Sequence, residues 1–300
     1  MAGITDPIGN GFILTNSIND KEPHRFEAYK LDVAHAATWS GIVNDCLRAW
    51  QILAEAFYNN LPDTGFEKLS LIRYLNPFGV ERLPTTPDED NDITHNPAIT
   101  DVTEIVALRC LTEVEKELII PQPRVLNKAM LSMQHPGIDA IGYRKKEEEY
   151  ILYLIEVMAS VDVEHPPSTV YGHNTQLLTD TLNKSYPERL LKDLLYAHDS
   201  SDNIHRQIFN SFIVAIVNHT LNRKENTKAV PILVRRRNEV TPQDWAPFYS
   251  RTGEYERAII PSIIHFIAID IQHNYSTLLD KIKISCTPPI SGMLDTNGGA

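Results

Sequence analysis

Two carboxylates stand in an otherwise apolar stretch between Gly137 and Ser160, GIDAIGYRKKEEEYILYLIEVMAS. The stretch is typical of a β-hairpin, with Asp139 on the first strand and Glu156 on the second. Burying a carboxylate among apolar side chains is costly unless the group is paired or binds a metal or a substrate. Two carboxylates that hold Mg²⁺ can polarise a phosphate and generate hydroxide. The pattern therefore predicts a metal site with Asp139 and Glu156 as ligands.

A structural role for the same two acids is the alternative. Either carboxylate could form an ion pair with Arg124 or Lys128, which lie just before the hairpin in the sequence. In that case Asp139 and Glu156 would lie apart, or each would be paired with a cation.

Met158 stands two residues after Glu156. Side chains alternate along a strand, so Glu156 and Met158 point to the same side. A lysine at this position would orient the attacking water and offset developing negative charge. Methionine provides only a polarizable apolar side chain. The residue at position 158 therefore bears on whether the predicted site can cleave.

The segments GIDAIGY and LYLIEVMAS resemble the core motif of the PD-(D/E)XK nuclease superfamily, with Asp139 and Glu156 as its acids. Over residues 100–285 the chain resembles more closely HamA, the nuclease subunits of Hachiman anti-phage defence systems. The resemblance implies a DNA endonuclease that uses Mg²⁺ or Mn²⁺ and is restrained by a superfamily 2 helicase partner, HamB-like. It also implies a further acid from the helix before the hairpin, for which Glu104 is the candidate.

The chain departs from this family at Met158, where the pattern Glu-x-Lys has its lysine. Three explanations remain open. The lysine has moved, the domain is a silent nuclease that binds DNA and a helicase partner, or the methionine is a substitution that silences the enzyme. Candidates for a moved lysine are Lys128, Lys145, Lys146 and Lys184.

The net charge of −11 counts against nucleic acid as the default ligand. Affinity for DNA depends on local neutralisation of phosphates, however, and two local basic patches exist. The first is Arg144, Lys145 and Lys146, with Lys128 as a further candidate for DNA binding, and the second is Arg235–Arg237. A solvated turn or an exposed strand face explains either patch equally simply.

Hydrophobic periodicity predicts the elements that position these residues. Helices are predicted over 33–58 and 101–118, the second with Asp101 as N-cap and Glu104 completing a capping box. Pro187 interrupts a helical pattern over 175–198, and 205–221 is a helix or a long apolar segment. Residues 229–235 read as a buried strand, and 258–271 as strand or helix.

This order of elements predicts an α/β fold, a PD-(D/E)XK-like central mixed sheet flanked by helices. The Pro- and Asp-rich stretch 77–97 predicts an exposed connection and a boundary. We therefore expect a mostly helical N-terminal lobe over 1–95, serving regulation or partner docking, and a nuclease-like domain over 96–290.

Several other classes of protein are disfavoured by the sequence. The three cysteines lack CxxC spacing, which argues against a zinc ribbon and a disulfide framework. The chain lacks a P-loop motif, so a nucleotide-driven motor would have to be a partner. Its apolar runs are too short to cross a bilayer, and its first residues do not resemble a signal peptide. We therefore expect a cytoplasmic protein with no membrane partner.

Overall fold

A single mixed sheet with helices on both faces organises the chain. The computed structural model describes residues 11–32, 34–59, 97–121, 123–126, 138–170, 176–183, 186–221 and 224–286. The six strands are β1 (Phe12–Ile18), β2 (Arg25–Leu31), β3 (Ala140–Lys146), β4 (Glu149–Ser160), β5 (Thr227–Arg235) and β6 (Ile263–Asp270). The helices are α1 (Ala36–Asn59), α2 (Pro97–Val114), α3 (Gln176–Asn183), α4 (Pro187–Ser200), α5 (Asn203–Val217), α6 (Ala246–Ser250), α7 (Thr252–Glu256) and α8 (Tyr275–Cys286). The predicted α/β class is confirmed.

The strand order in the sheet is β1-β2-β6-β5-β4-β3. The four central strands, β2, β6, β5 and β4, run parallel, whereas β1 and β3 pair antiparallel at the two ends. Parallel strands are covered on both faces and need nearly continuous apolar sequence. The segments AVPILV in β5 and IIHFIAI in β6 meet that requirement and are buried throughout.

Alternating side chains divide the core between the two faces of the sheet. On one face, residues such as Tyr153, Ile155 and Ile232 pack with α1, α2 and α8. On the other face, Leu152 and Leu154 pack with α4 and α5. The continuation of that second face, over β5 and β6, is covered by α3, α6 and α7.

The predicted hairpin is confirmed. Ala140 pairs with Ile155 and Lys146 with Glu149, in an uninterrupted antiparallel register. The two-residue turn places Glu147 at a φ of 56°, in the left-handed region that hairpin turns of this length require.

The N-terminal segment differs from the prediction of a mostly helical lobe. Strands β1 and β2 were not predicted, and β2 pairs with β6 within the central sheet. Helix α1, predicted over 33–58, is confirmed and packs in the same core as α2. The described part of 1–95 therefore shares its core with the segment after residue 96. The predicted boundary stretch 77–97 lies almost wholly outside the described residues.

The predicted capping box at Asp101 is wrong. Helix α2 begins at Pro97, so Asp101 lies inside it. Proline is tolerated in the first turn of a helix because the N–H groups of that turn have no intrahelical acceptor, so the missing N–H costs no hydrogen bond. Asp101 is fully buried, and the indole Nε1 of Trp50 donates to its Oδ2 at 3.3 Å. Its carboxylate therefore joins α1 to α2.

The structure also decides the three segments after the hairpin whose type was left open or interrupted. Helix α4 begins at Pro187, most of α5 lies within 205–221, and β6 lies within 258–271. None of the described helices has both the length and the apolar character needed to cross a bilayer.

Candidate functional site

Asp139 and Glu156 lie opposite each other at the open end of the β3–β4 hairpin. Ala140 pairs with Ile155, so continuing the register by one residue places Asp139 across from Glu156. The Oδ2 of Asp139 accepts a hydrogen bond of 2.7 Å from the backbone N–H of Val157. The structure thus places Asp139 beside the strand that contains Glu156.

Glu156 lies in the middle of a buried strand and is only 5 % exposed. Alternation directs it to the face of Leu154 and Met158, away from the face that α2 covers. Asp139 is half-buried at the start of the neighbouring strand. A half-buried and a buried carboxylate at neighbouring positions are both oxygen donors of the kind that a divalent cation binds.

Arg124 and Asp193 adjoin this hairpin end. The backbone N–H of Arg124 donates to the carbonyl of Asp139 at 3.1 Å. Its guanidinium forms an ion pair with Asp193, whose Oδ2 accepts from the N–H of Ile138 at 3.2 Å. The Arg124 guanidinium also stacks over the Tyr196 ring, 5.4 Å from its centroid. This pair fixes the strand that presents Asp139.

Asp193 is a site residue that sequence reasoning missed. It lies on α4 between Leu190 and Leu194, both fully buried, and is itself 5 % exposed. An acid on the apolar face of an amphipathic helix was the available signal, because such a group must be paired.

Glu104, the predicted helical acid, is 8 % exposed on α2. Helix α2 covers the face of Ile155, whereas Glu156 points to the opposite face. Glu104 and Glu156 therefore approach the hairpin from opposite faces of the sheet.

Met158 lies on the strand face of Glu156 and is partly buried. It packs against the apolar cluster that contains Leu233, Trp245 and Phe248, and in register it faces Leu233. The position next to Glu156 on this face is thus occupied by an apolar side chain in apolar surroundings, and not by a charged group.

The lysines of the hairpin lie far from the two acids. Lys145 pairs with Tyr150 and Lys146 with Glu149, next to the turn. At about 3.4 Å per residue they are on the order of 20 Å from Asp139 along the strand. Lys128 and Lys184 lie outside the described residues. The basic run Arg144–Lys146 and the pair of acids therefore occupy opposite ends of one hairpin.

The second basic patch is only partly available at the surface, because Arg235 is buried and Arg236 half-buried, whereas Arg237 is exposed. Arg235 is fully buried, and its Nη2 donates to the carbonyl of Glu164 at 3.2 Å. Its Nε lies 4.0 Å from Asp244, a carboxylate that is itself buried. Burial lowers the pKa of Arg235, and nearby acids, Asp244 foremost, oppose that shift. Arg235 therefore anchors the end of β5 rather than offering charge to a ligand.

Asp139 and Glu156 could supply two carboxylate ligands to a divalent cation. In the portion of the chain that the structure describes, no three or more His, Cys, Asp or Glu side chains are grouped to hold a metal. Magnesium is commonly bound by one or two carboxylates, with water and substrate phosphate completing its shell. A pair of hard oxygen donors fits such an ion.

Comparison with known proteins adds no family. The chain matches no protein-family model, and no curated protein is similar enough to match it.

Proposed function

We propose that the protein is a metal-dependent DNA endonuclease whose cation is held by Asp139 and Glu156. The observation that carries the proposal is the placement of these two acids on facing positions of one hairpin. Mg²⁺ or Mn²⁺ bound there would polarise a phosphodiester and lower the barrier to attack by water. The protein's own contribution is to hold Glu156 within β4 and Asp139 immediately before β3, where hydrogen bonds to Val157 and Arg124 fix it.

The order of elements supports the same proposal. A helix, α2, precedes the hairpin, and helices α3 to α5 separate it from β5, which joins β4 in parallel. The resemblance to PD-(D/E)XK nucleases implies a mixed sheet flanked by helices with its acids on such a hairpin. The Arg124–Asp193 pair adds a rigid support at the point where Asp139 enters the sheet.

The cellular setting follows from the resemblance alone. A HamA-like nuclease would act in the cytoplasm, within an anti-phage defence system. A superfamily 2 helicase partner, HamB-like, would restrain it until foreign or damaged DNA is sensed. DNA would be the substrate, and Lys145 and Lys146 would contribute phosphate contacts at the hairpin turn. Arg144 is held by an ion pair with Glu115, at 2.9 Å from its Oε2.

A second function is favoured by Met158. Its side chain packs against an apolar cluster on the face of Glu156, where the family pattern has a lysine. The alternative proposal is therefore a non-catalytic subunit of nuclease-like fold, which binds DNA and a helicase partner without cleaving.

Cleavage and metal binding, measured on the same variants, separate the two proposals. Purified protein is incubated with plasmid and linear DNA in Mg²⁺ or Mn²⁺, and Mn²⁺ binding is followed by electron paramagnetic resonance. The test variants are Asp139→Asn and Glu156→Gln, which remove charge but keep size and hydrogen-bonding capacity. The matched control is Asp199→Asn, because the side chain of Asp199 is 77 % exposed on α4.

For the endonuclease we expect cleavage that falls at least a hundredfold in both test variants and is unchanged in the control. Mn²⁺ binding that depends on both acids, without cleavage of any DNA, would establish the non-catalytic subunit instead. Cleavage that persists in both test variants would overturn the assignment of the site to Asp139 and Glu156.

A further inference from the structure

A buried carboxylate just beyond the end of α2 gathers side chains from four elements of the sheet. The Oε1 of Glu115 lies 2.6 Å from Lys228 Nζ on β5 and 2.9 Å from His265 Nδ1 on β6. Its Oε2 accepts from Arg144 Nη1 on β3 and from the hydroxyl of Tyr153 on β4, both at 2.9 Å. These contacts lie on the opposite face of the sheet from Glu156.

His265 extends this cluster to a second carboxylate. Its Nε2 lies 2.8 Å from Oε2 of Glu27 on β2. That same oxygen accepts from the hydroxyl of Tyr29 at 2.9 Å, and Oε1 accepts from Arg25 at 2.6 Å. The ring of His265 is fully buried, so water cannot replace either contact.

The acceptors around His265 decide which protons are present. A carboxylate has about four acceptor positions, and Glu115 already faces four donors, so an added proton would displace one of them. A neutral imidazole carries one N–H and could donate to only one of the two carboxylates. The arrangement is fully satisfied only when both ring nitrogens carry protons.

We propose that His265 is a buried imidazolium that clamps the C-terminal end of α2 to β2 and β6. The proposal concerns a structural device of the fold and does not depend on the nuclease proposal. Its proton-bearing atoms are Nδ1, which donates to Glu115, and Nε2, which donates to Glu27.

The charged groups around the ring are two carboxylates and three cations. The carboxylates of Glu27 and Glu115 contact the ring directly, whereas Arg25, Arg144 and Lys228 contact those carboxylates. Lys228 shares Oε1 of Glu115 with the ring. Tyr29 and Tyr153 keep their protons, because burial raises the pKa of both hydroxyls. The thiol of Cys110 on α2 also keeps its proton, because burial raises its pKa. Burial lowers the pKa of Lys228, and the charge and hydrogen bond of Glu115 oppose that shift.

Nitrogen NMR of the histidine rings tests the protonation state directly. His24 is the internal control, because it is 2 % exposed and its Nδ1 accepts from the N–H of Ile264 at 3.0 Å. We expect His24 to show one protonated nitrogen at pH 7 and His265 to show two. A single protonated nitrogen on His265 at pH 7 would overturn the proposal.

Amide hydrogen exchange at pH 7 tests the clamp. Amides over 109–115 should exchange at least tenfold faster in His265→Gln than in the wild type, because glutamine leaves one carboxylate without a donor. Amides within α1 should be insensitive to this substitution. Equal exchange over 109–115 in the two proteins would refute the clamp.

Discussion

Replacing Glu115 with glutamine removes the charge at the centre of the buried cluster while keeping the shape of the side chain. The amide has one acceptor oxygen in place of two, so two of the four donors around residue 115 lose their acceptor. Each buried donor left without a partner costs about 1–3 kcal/mol, and breaking a buried ion pair costs about 3–5 kcal/mol. Arg144 is 27 % exposed and can turn to water, which lowers the total. We expect Glu115→Gln to destabilise the protein by about 3 kcal/mol.

Urea denaturation at pH 7, followed by circular dichroism, measures this loss as a shift of the midpoint at constant slope. Glu117→Gln is the matched control, because Glu117 lies two residues further on and is exposed. Its free energy of unfolding should change by less than about 0.5 kcal/mol, as is usual for surface substitutions. A loss below about 1 kcal/mol in Glu115→Gln would refute the view that all four donors depend on this carboxylate.

Three further predictions concern acid stability, backbone packing and catalysis. Burial would raise the pKa of Glu27, but hydrogen bonding and charge from His265 outweigh it and lower the pKa from 4.5 to about 2. Glu27 therefore contributes about 3 kcal/mol that is fully present above its unfolded pKa and is lost as the pH falls towards 2. In acid titrations of unfolding free energy, Glu27→Gln should flatten the slope over that window, and an unchanged slope would contradict this. Gly142→Ala would place a Cβ 3.0 Å from the carbonyl of Ile119, so we expect a loss of about 1–3 kcal/mol by urea denaturation. Gly253→Ala, whose Cβ would meet its nearest atom at 3.5 Å within α7, should lose nothing, and equal losses in both variants would disprove the steric reason. Met158→Lys should raise Mg²⁺-dependent DNA cleavage above wild type and above Met158→Leu, whereas equal rates in all three would place the lysine of the reaction elsewhere.

Local patterns were sufficient for the elements that face a core on one side. Helix α1 repeats apolar residues at helical spacing, and the hairpin has two apolar stretches separated by the charged run RKKEEE. Both elements were therefore predicted, although β3 and β4 extend into that run and leave a turn of two residues. The register of Asp139 against Glu156 was not predicted, because pairing within a hairpin is set by the length of its turn.

Strands β1 and β2 were missed for a physical reason. Most of β1 is exposed, so its sequence FILTNSI lacks the alternation of a half-buried strand. In β2, Glu27 is buried but polar, because it is satisfied by His265 and Arg25. A buried acid in a strand looks like an exposed residue in the hydrophobicity pattern. The pattern of apolar residues over β2 therefore does not predict a strand.

The polar contacts at a distance could not be derived from spacing. Glu115 and His265 are 150 residues apart in the sequence, and Arg124 and Asp193 are 69 apart. Each pair depends on the order of strands in the sheet, which hydrophobic periodicity does not specify. The two acids of the hairpin were accessible to sequence reasoning, and the apolar face of α4 marked Asp193 as an acid that needs a partner. That its partner is Arg124 could not be derived.

The insertion of β2 between β1 and β6 has a consequence for synthesis on the ribosome. Lys30 of β2 pairs with Asp270 of β6. The backbone groups on that edge of β2 therefore stay unpaired until about 240 further residues have been translated. At 5–20 residues per second, that interval is on the order of 10 to 50 s. During it the β1–β2 ribbon exposes a row of unpaired backbone groups and the apolar side chains of Phe26 and Tyr29. Translation speed and holding chaperones should therefore govern the yield of folded protein more strongly than the stability of the finished sheet.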